Sequence, residues 1–220
     1  MPERRPGGSA AVAVGRCAAL LALSCCLVAC GYLLPRAGTP PPSELPAGAY
    51  RLDPEHATLL FKIDHLGLSQ LVGRFNRFEA TLNFDPADPA ASRLSARIDP
   101  ASIDLDLPAF EEELRGPDWF DVARFAEARF ESRGIEVTKD ATGRITGDLT
   151  LHGVTQPVTL EVIFNGGGDS VLTGRYTLGF AAAGTIARAA FGLGAYAPAV
   201  GDEVVLEIHA EFQRIEGSGS

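Results

Sequence analysis

Residues 143–164 constrain the fold of this chain more than any other segment, because their apolar residues alternate with polar ones in two consecutive runs. A period of two is typical of antiparallel strands with one buried face and one face toward solvent. Gly153 suits the turn between the runs, and Pro157 suits the first residue of the second strand. The predicted inward residues are Ile145, Gly147, Leu149 and Leu151, then Val158, Leu160, Val162 and Phe164. A hairpin with such an apolar face is not stable alone, so the rest of the chain must cover it.

The same alternation recurs along most of the remaining chain. It predicts strands near residues 57–65, 71–84, 93–99, 102–105, 128–138, 171–181 and 203–215, with the glycines at 166–168 acting as a separator. One helix is predicted, with Asp106 as its N-cap, Pro108 in its first turn and Gly116 at its exit. Its acidic residues 111–113 are interpreted as a solvated face. About eight strands and one short helix indicate an all-β fold, either an antiparallel barrel or a sandwich.

Charge and cysteine placement exclude several classes of function. The chain has 19 basic and 28 acidic residues, a formal net charge of -9. Nucleic acid is therefore not expected as a partner, and neither is purely electrostatic docking on anionic lipid. The four cysteines all lie within the first thirty residues, so the remaining chain can form no disulfide framework and no thiol metal site. Apolar residues make up 46% of the chain, which is enough for a sizeable core.

The N-terminal residues resemble a bacterial lipoprotein signal peptide. Arg4, Arg5 and Arg16 precede an uncharged apolar run at 18–29, as in secretory signals. Residues 27–30 match the lipobox, so residues 1–29 are predicted to be removed and Cys30 to be lipidated. Two alternatives stay open: residues 17–34 are long enough to remain as a membrane anchor, and ordinary secretory cleavage could occur nearby. In each case the body leaves the cytoplasm.

The predicted organisation follows from this reading. Residues 30–48 form a proline-rich linker that spans roughly 50 Å if fully extended. Residues 49–216 form the globular body, and residues 217–220 a disordered tail. The expected location is the bacterial cell envelope, with a periplasmic body anchored to a membrane by the N-terminal lipid.

Four stretches of the body resemble the YceI-like family of periplasmic, lipocalin-like proteins. They are the opening segment 50–56, a His-x-Gly-x-Ser…Gly-x-Phe pattern in 65–75, the segment 149–158, and residues 186–192. Two features depart from the family pattern. Residues 110–114 stand where the family has an Asp and a His-Leu pair, and Ala187 replaces an acidic residue beside Arg188.

The resemblance implies an eight-stranded antiparallel, lipocalin-like barrel with an apolar cavity. It also implies that the cavity holds a polyisoprenoid chain, such as an isoprenoid quinone or a polyprenyl carrier, and no other cofactor. A barrel of eight strands is just wide enough for one slender ligand. The residues expected to contact the ligand are Phe61, His65, Phe78, Leu82, Trp119, Phe120, Leu149, Leu151, Phe164, Phe180, Arg188, Phe191 and Phe212.

Two polar residues of this set have alternative interpretations. His65 lies on the apolar face of its strand and would bind either a ligand head group or a backbone carbonyl. Arg188 would meet either an anionic or carbonyl head group or a carboxylate that closes the end of the barrel. His56, His152 and His209 fall on the opposite, outward faces, and no histidine spacing indicates a metal site.

The sequence offers little support for catalysis. It has no Gly-x-Ser-x-Gly motif, and no cysteine nucleophile survives the predicted maturation. We therefore expect no catalytic residues. The alternative hypotheses are an envelope structural or interaction module with a filled barrel, and a hydrolase with an unrecognised site. A homodimer is also considered as an oligomeric state.

Overall fold

The computed structural model describes residues 44–139 and 141–216. The predicted signal peptide with Cys30, residues 30–43 of the predicted linker and the predicted tail at 217–220 lie outside these ranges. Within them, no helix has the length and apolar character needed to cross a membrane.

The described residues form eleven antiparallel strand segments and one α-helix. The strands are β1 (Gly48–Leu52), β2 (Thr58–His65), β3 (Ser69–Phe75), β4 (Phe78–Phe84), β5 (Arg93–Ile98), β6 (Ile103–Asp104), β7 (Ala128–Lys139), β8 (Thr142–Leu151), β9 (Val154–Asp169), β10 (Tyr176–Ala187) and β11 (Val200–Arg214). The helix, α1, is Pro108–Arg115.

These segments close into an eight-stranded antiparallel barrel. The strand order is β1-β4-β5-β7-β8-β9-β10-β11, and β11 pairs back onto β1, with Tyr50 opposite Arg214. The other three segments extend strands of this ring, because β2 continues β1 beside β11, β3 precedes β4 and β6 continues β5. The predicted barrel is confirmed, and the sandwich alternative is excluded because the ring is closed.

Short irregularities break three of the eight strands in two. Asp53 and Asp99 begin 3-10 turns at Pro54–His56 and Pro100–Ser102, and each carboxylate accepts the N–H two residues ahead. Between β3 and β4, the N–H of Asn76 donates a hydrogen bond to the carbonyl of Ser102. The strand predicted over 71–84 is thus interrupted, because its partner strand is locally a 3-10 turn.

The β8–β9 hairpin follows the predicted face pattern. Leu151 lies opposite Val154, so the loop has only two residues, His152 and Gly153, both with positive φ (51° and 74°). This is the turn geometry that matches the twist of antiparallel strands. Pro157 is not the first residue of β9 as predicted but lies inside it, opposite Asp148. It is tolerated there because β10 pairs with β9 only from Glu161 onward, which leaves Pro157 on a free edge.

The predicted separator at 166–168 is also different. These glycines lie within β9, and β10 begins only at Tyr176. Gly167 faces Leu178, and a Cβ at Gly167 would lie 2.9 Å from Leu178 Cδ2. The missing side chain therefore makes room for a neighbouring one instead of breaking the strand.

The helix α1 begins and ends close to the predicted residues, but its capping differs. Leu107, not Asp106, is the N-cap, and Asp106 has a φ of 59°. The carboxylate of Glu111 accepts the N–H groups of Leu105 and Leu107, which lowers the pKa of Glu111 although desolvation opposes the shift. Glu111 thus caps the helix from within, and only the two glutamates after it are exposed.

The two ends of the barrel carry different parts of the chain. What we call the helix end carries α1, the β2–β3 and β8–β9 turns and the β10–β11 link. The opposite end, the chain-entry end, carries residues 44–47, the β4–β5 link and the β7–β8 and β9–β10 turns. One apolar cluster lies around the middle of the barrel, a second near the chain-entry end and a third under α1.

Candidate functional site

The barrel encloses a cavity of about 900 Å³. All eleven strand segments contribute inward side chains to it, and almost all of these are apolar. The lining extends from Leu66 and Tyr196 at the helix end to Val137 at the chain-entry end. These three residues are at least half exposed, so the cavity reaches the surface at both ends. An interior of this size falls in the range of small-molecule sites, and the filled-barrel interpretation is wrong.

Twelve of the thirteen residues proposed from the sequence line this cavity. They are Phe61, His65, Phe78, Leu82, Trp119, Phe120, Leu149, Leu151, Phe164, Phe180, Arg188 and Phe212. Phe191 does not. It is almost fully buried in the central apolar cluster and lies in a 3-10 turn, Arg188–Phe191, that follows β10. Because the chain has left the strand, alternation no longer directs that side chain into the barrel. Whether the twelve residues contact a ligand stays a prediction.

Aromatic rings gather at the helix end of the cavity. Neighbouring ring centroids are 5.5 to 6.2 Å apart in the pairs Phe61–Phe75, Phe75–Phe120, Phe110–Trp119 and Trp119–Tyr196. Beneath them, Leu114 of α1 packs with Ile103 and Leu105. Two of the four pairs, Phe75–Phe120 and Phe110–Trp119, are edge-to-face, an arrangement that aromatic pairs prefer, and the other two are tilted. The helix and the turn after it thus form an apolar cap over this end.

Arg188 is buried beside this cap and is held by backbone carbonyls. Its guanidinium donates to the oxygens of Gly201 (2.7 Å), Val200 (2.8 Å) and Leu193. Burial lowers the pKa of Arg188, although the nearby carboxylate of Asp202 opposes the shift. The predicted carboxylate bridge is absent from the described residues, since Asp202 instead accepts the N–H of Ala189. Arg188 closes the barrel end through the β10–β11 link.

His65 lies at the exposed rim of the cavity at the helix end. Its imidazole makes no hydrogen bond to any described residue, so the predicted alternative, a bond to a backbone carbonyl, is not formed. Ser69 lies directly opposite in the β2–β3 pair, and Gln70 follows it. All three line the cavity and together form a small polar group at its mouth.

The chain-entry end is closed on one side only. Phe180 lies between Phe164 and Phe212, with centroid distances of 5.4 and 6.0 Å. In the same cluster Tyr50 is fully buried and donates its hydroxyl to the carbonyl of Pro46 at 2.6 Å. Burial raises the pKa of Tyr50 to about 12. On the other side, near Val137, the cavity reaches the surface.

Comparison with known proteins assigns this barrel to a family. The model of the YceI-like domain matches residues 50–212, which includes all but the outermost strand residues. The chain belongs to the YceI-like family. The predicted resemblance is therefore confirmed.

Relatives and solved structures support this YceI-like assignment. A UPF0312 protein of Pseudomonas savastanoi pv. phaseolicola is 38% identical over 149 residues, 67% of this chain and 77% of the relative. A UPF0312 protein of Yersinia pestis is 42% identical over 143 residues, 64% and 73%. The crystal structure of BcnA from Burkholderia cenocepacia superposes with a TM-score of 0.66 at 28% identity, covering 73% of this chain and 98% of BcnA. A polyisoprenoid binding domain from Saccharophagus degradans shares the fold, with a TM-score of 0.60 at 15% identity, covering 77% and 100%.

Outside the cavity, this YceI-like barrel brings three potential metal ligands together. Ligand atoms of Asp53, His56 and Glu211 lie within 4.8 Å of one another. Desolvation opposes ionisation of Asp53, but its bonds with His56, the N–H of Glu55 and Gln213 lower its pKa. The carboxylate of Asp53 thus stabilises the 3-10 turn after β1, and a metal ion would have to displace those hydrogen-bond partners.

Several residues of the YceI-like cavity were not included in the sequence prediction. Phe130 and Leu160 follow the same alternation as the chosen residues and could have been selected on that signal. Leu66, Leu107 and Tyr196 could not, because they lie outside the regular strands, where no period directs their side chains.

Proposed function

We propose that this YceI-like protein binds one long apolar lipid chain of the polyisoprenoid type inside its barrel. The single observation that carries the proposal is the hollow interior of about 900 Å³ with an almost entirely apolar wall. A closed eight-stranded barrel leaves room for one slender ligand. A water molecule inside would find few hydrogen-bond partners on such a wall, which costs free energy. A hydrocarbon chain makes no hydrogen bonds, so it has none to lose there.

The size of the cavity sets the expected ligand. If each methylene-sized group takes about the liquid volume of one water molecule, roughly 30 Å³, the cavity holds on the order of 30 carbons. Burial of each methylene contributes about 0.8 kcal/mol, so ten of them would already contribute roughly 8 kcal/mol before the costs of association. Tight binding therefore needs few polar contacts.

The finer parts of the proposal concern the ligand and the location. A protein of the same fold is described as a polyisoprenoid binding domain, which favours a quinone or polyprenyl lipid over a fatty acid. The polar group formed by His65, Ser69 and Gln70 is the proposed site for its head group. We further propose that the protein acts in the cell envelope, lipidated at Cys30, as a binding protein without catalytic activity.

Two matched variants test the proposal. Ala182 lines the cavity opposite Val162, so Ala182→Trp places an indole in the lumen. The neighbouring Ala181 lies opposite the exposed Ile163, so Ala181→Trp adds the same group outside. Lipid would be identified by native mass spectrometry and by solvent extraction of the purified full-length proteins, with folding checked by circular dichroism.

The expected result is a long isoprenoid lipid in the wild type and in Ala181→Trp, and loss of most of it in Ala182→Trp. The proposal fails if no variant carries lipid. It also fails if folded Ala182→Trp carries as much lipid as the wild type, because that lipid would be bound outside the barrel.

A further inference from the structure

The β9–β10 turn exposes two consecutive large apolar side chains. Val171 is 67% and Leu172 82% exposed. The turn is well formed, because the N–H of Ser170 donates to the carbonyl of Arg175 at 2.9 Å and that of Gly174 to the carbonyl of Ser170 at 2.8 Å. Its exposed side chains therefore belong to an ordered tip. Adjacent exposed apolar side chains, unlike single scattered ones, are typical of an interaction surface.

This tip lies at the end of the barrel where the N-terminal residues enter. Leu45 packs against β9, since a Cβ at Gly167 would lie 3.4 Å from Leu45 Cδ2. The carbonyl of Ala47 accepts a bond from Arg214, at the end of β11. Glu44, the first described residue, thus lies at the same end as the β9–β10 turn, and the sequence before it contains the uncharged apolar run at 17–34.

The charged side chains next to this turn are balanced in sign. Arg175 and Arg214 lie beside Asp169 and Glu216 around one shallow depression next to the turn. Two positive and two negative side chains balance there, although the whole chain carries a net charge of -9. These four charges beside the tip therefore add no net repulsion from an anionic lipid surface.

We infer that the β9–β10 turn is a membrane-contact site: Val171 and Leu172 enter the interfacial layer of a lipid bilayer, and the chain-entry end of the barrel faces that bilayer. A protein partner fits less well, because two side chains on a narrow tip bury far less than the roughly 1,200 Å² of a stable interface. A bilayer needs only a small apolar insertion when a second attachment, here the apolar N-terminal run, holds the protein near it.

This inference does not depend on any ligand in the cavity, but it rests on the part of the proposed function that attaches the N-terminal residues to a membrane. The inference also has a consequence for how a ligand would enter the cavity, and this consequence rests on the proposed function. The cavity reaches the surface near Val137 at this same end. A lipid could then move between bilayer and barrel with little exposure to water.

A matched pair of tryptophan variants tests the orientation. Leu172 and Leu68 are 82% and 84% exposed, and both lie on hairpin turns, but at opposite ends of the barrel. The full-length wild type, Leu172→Trp and Leu68→Trp would be purified from membranes and reconstituted into vesicles of phosphatidylcholine and phosphatidylglycerol. A second set of vesicles would carry brominated acyl chains, which quench nearby indoles. The buried Trp119 supplies a background that the wild type measures.

We expect bromine to remove at least half of the added fluorescence of Leu172→Trp and almost none of that of Leu68→Trp. Quenching of Leu68→Trp alone, of both variants equally or of neither would overturn the inference, as would failure of the wild type to float with vesicles. Mass spectrometry of the same samples reports the cavity lipid separately. An empty barrel with a quenched Leu172→Trp would thus contradict only the proposed function.

Discussion

A hollow barrel makes a specific prediction about two buried leucines. Leu160 is 7% exposed and lines the cavity, whereas Leu178 is fully buried near the chain-entry end and does not. Each leucine packs against a glycine of the neighbouring strand: a Cβ at Gly167 would lie 2.9 Å from Leu178 Cδ2, and a Cβ at Gly184 would lie 2.8 Å from Leu160 Cδ2. The two leucines differ because only Leu160 also borders the cavity. Leu160 lies in β9 and Leu178 in the neighbouring strand β10, so replacement by alanine removes the same atoms in two different surroundings.

The two replacements should differ in cost. Leu→Ala removes three carbons, which corresponds to a loss of roughly 2.4 kcal/mol of transfer free energy. At Leu178 a new cavity adds to this, at about 24 cal/mol per Å³, so the total should approach 4–5 kcal/mol. At Leu160 the vacated space joins an existing cavity, so no new cavity is created. The lost methyl groups also faced the lumen on one side, so fewer packing contacts are removed. The expected cost there is about 2 kcal/mol.

Urea denaturation of delipidated full-length protein, followed by circular dichroism and Trp119 fluorescence, measures both values. The difference should be about 2–3 kcal/mol and should shrink when lipid is restored, because a bound chain contacts Leu160 and makes its replacement more costly. Equal costs, or a larger cost at Leu160, would refute the reasoning and indicate that the wall is packed from within.

Three further predictions concern polar groups that stabilise the barrel. Arg188→Gln should destabilise the protein by at least about 3 kcal/mol in urea denaturation, because it leaves buried carbonyl oxygens without donors. His56 has its pKa raised by its bond with Asp53, so this pair stabilises the folded state below the ordinary histidine value of 6.5 and loses that effect as pH rises through the folded pKa. Melting temperatures across this range should fall more in the wild type than in His56→Asn, and identical profiles would contradict the ion pair. Burial raises the pKa of Tyr50 from its ordinary value of 10.0 to about 12 in the folded state. The free energy of unfolding should therefore fall by up to about 1.4 kcal/mol per pH unit between those values, and Tyr50→Phe should reduce that slope.

The wall of the barrel could be predicted from sequence because one physical rule governs it. Every second residue of a strand faces inward, so Phe61, Leu149 and Phe212 were assigned to the cavity without knowledge of the pairing. Local exceptions to the rule were missed. Pro157 is tolerated inside β9 because no strand pairs with that edge of β9 at this position. Gly167 is tolerated inside β9 because Leu178 fills the space that a side chain would take. Both depend on contacts between strands that single-strand patterns do not contain.

The ends of the barrel were harder to predict, for a related reason. Tyr196 reaches the cavity and Phe191 leaves it because the β10–β11 link folds over the helix end, where Arg188 holds it by backbone carbonyls. No periodicity marks such a link. The same holds for the polar group at the mouth, since Ser69 meets His65 only through the register of β2 and β3.

The position of β11 has a consequence for how the protein is made. This last strand lies between β10 on one side and both β1 and β2 on the other, so the first and last strands of the body complete the ring together. Without β11, the other strands can form only an open sheet whose apolar inner face is exposed to water. Pairings so distant along the chain form slowly. Closure of the barrel thus depends on the fifteen-residue strand β11. Truncation within β11 would therefore abolish the enclosed cavity and not only remove one strand.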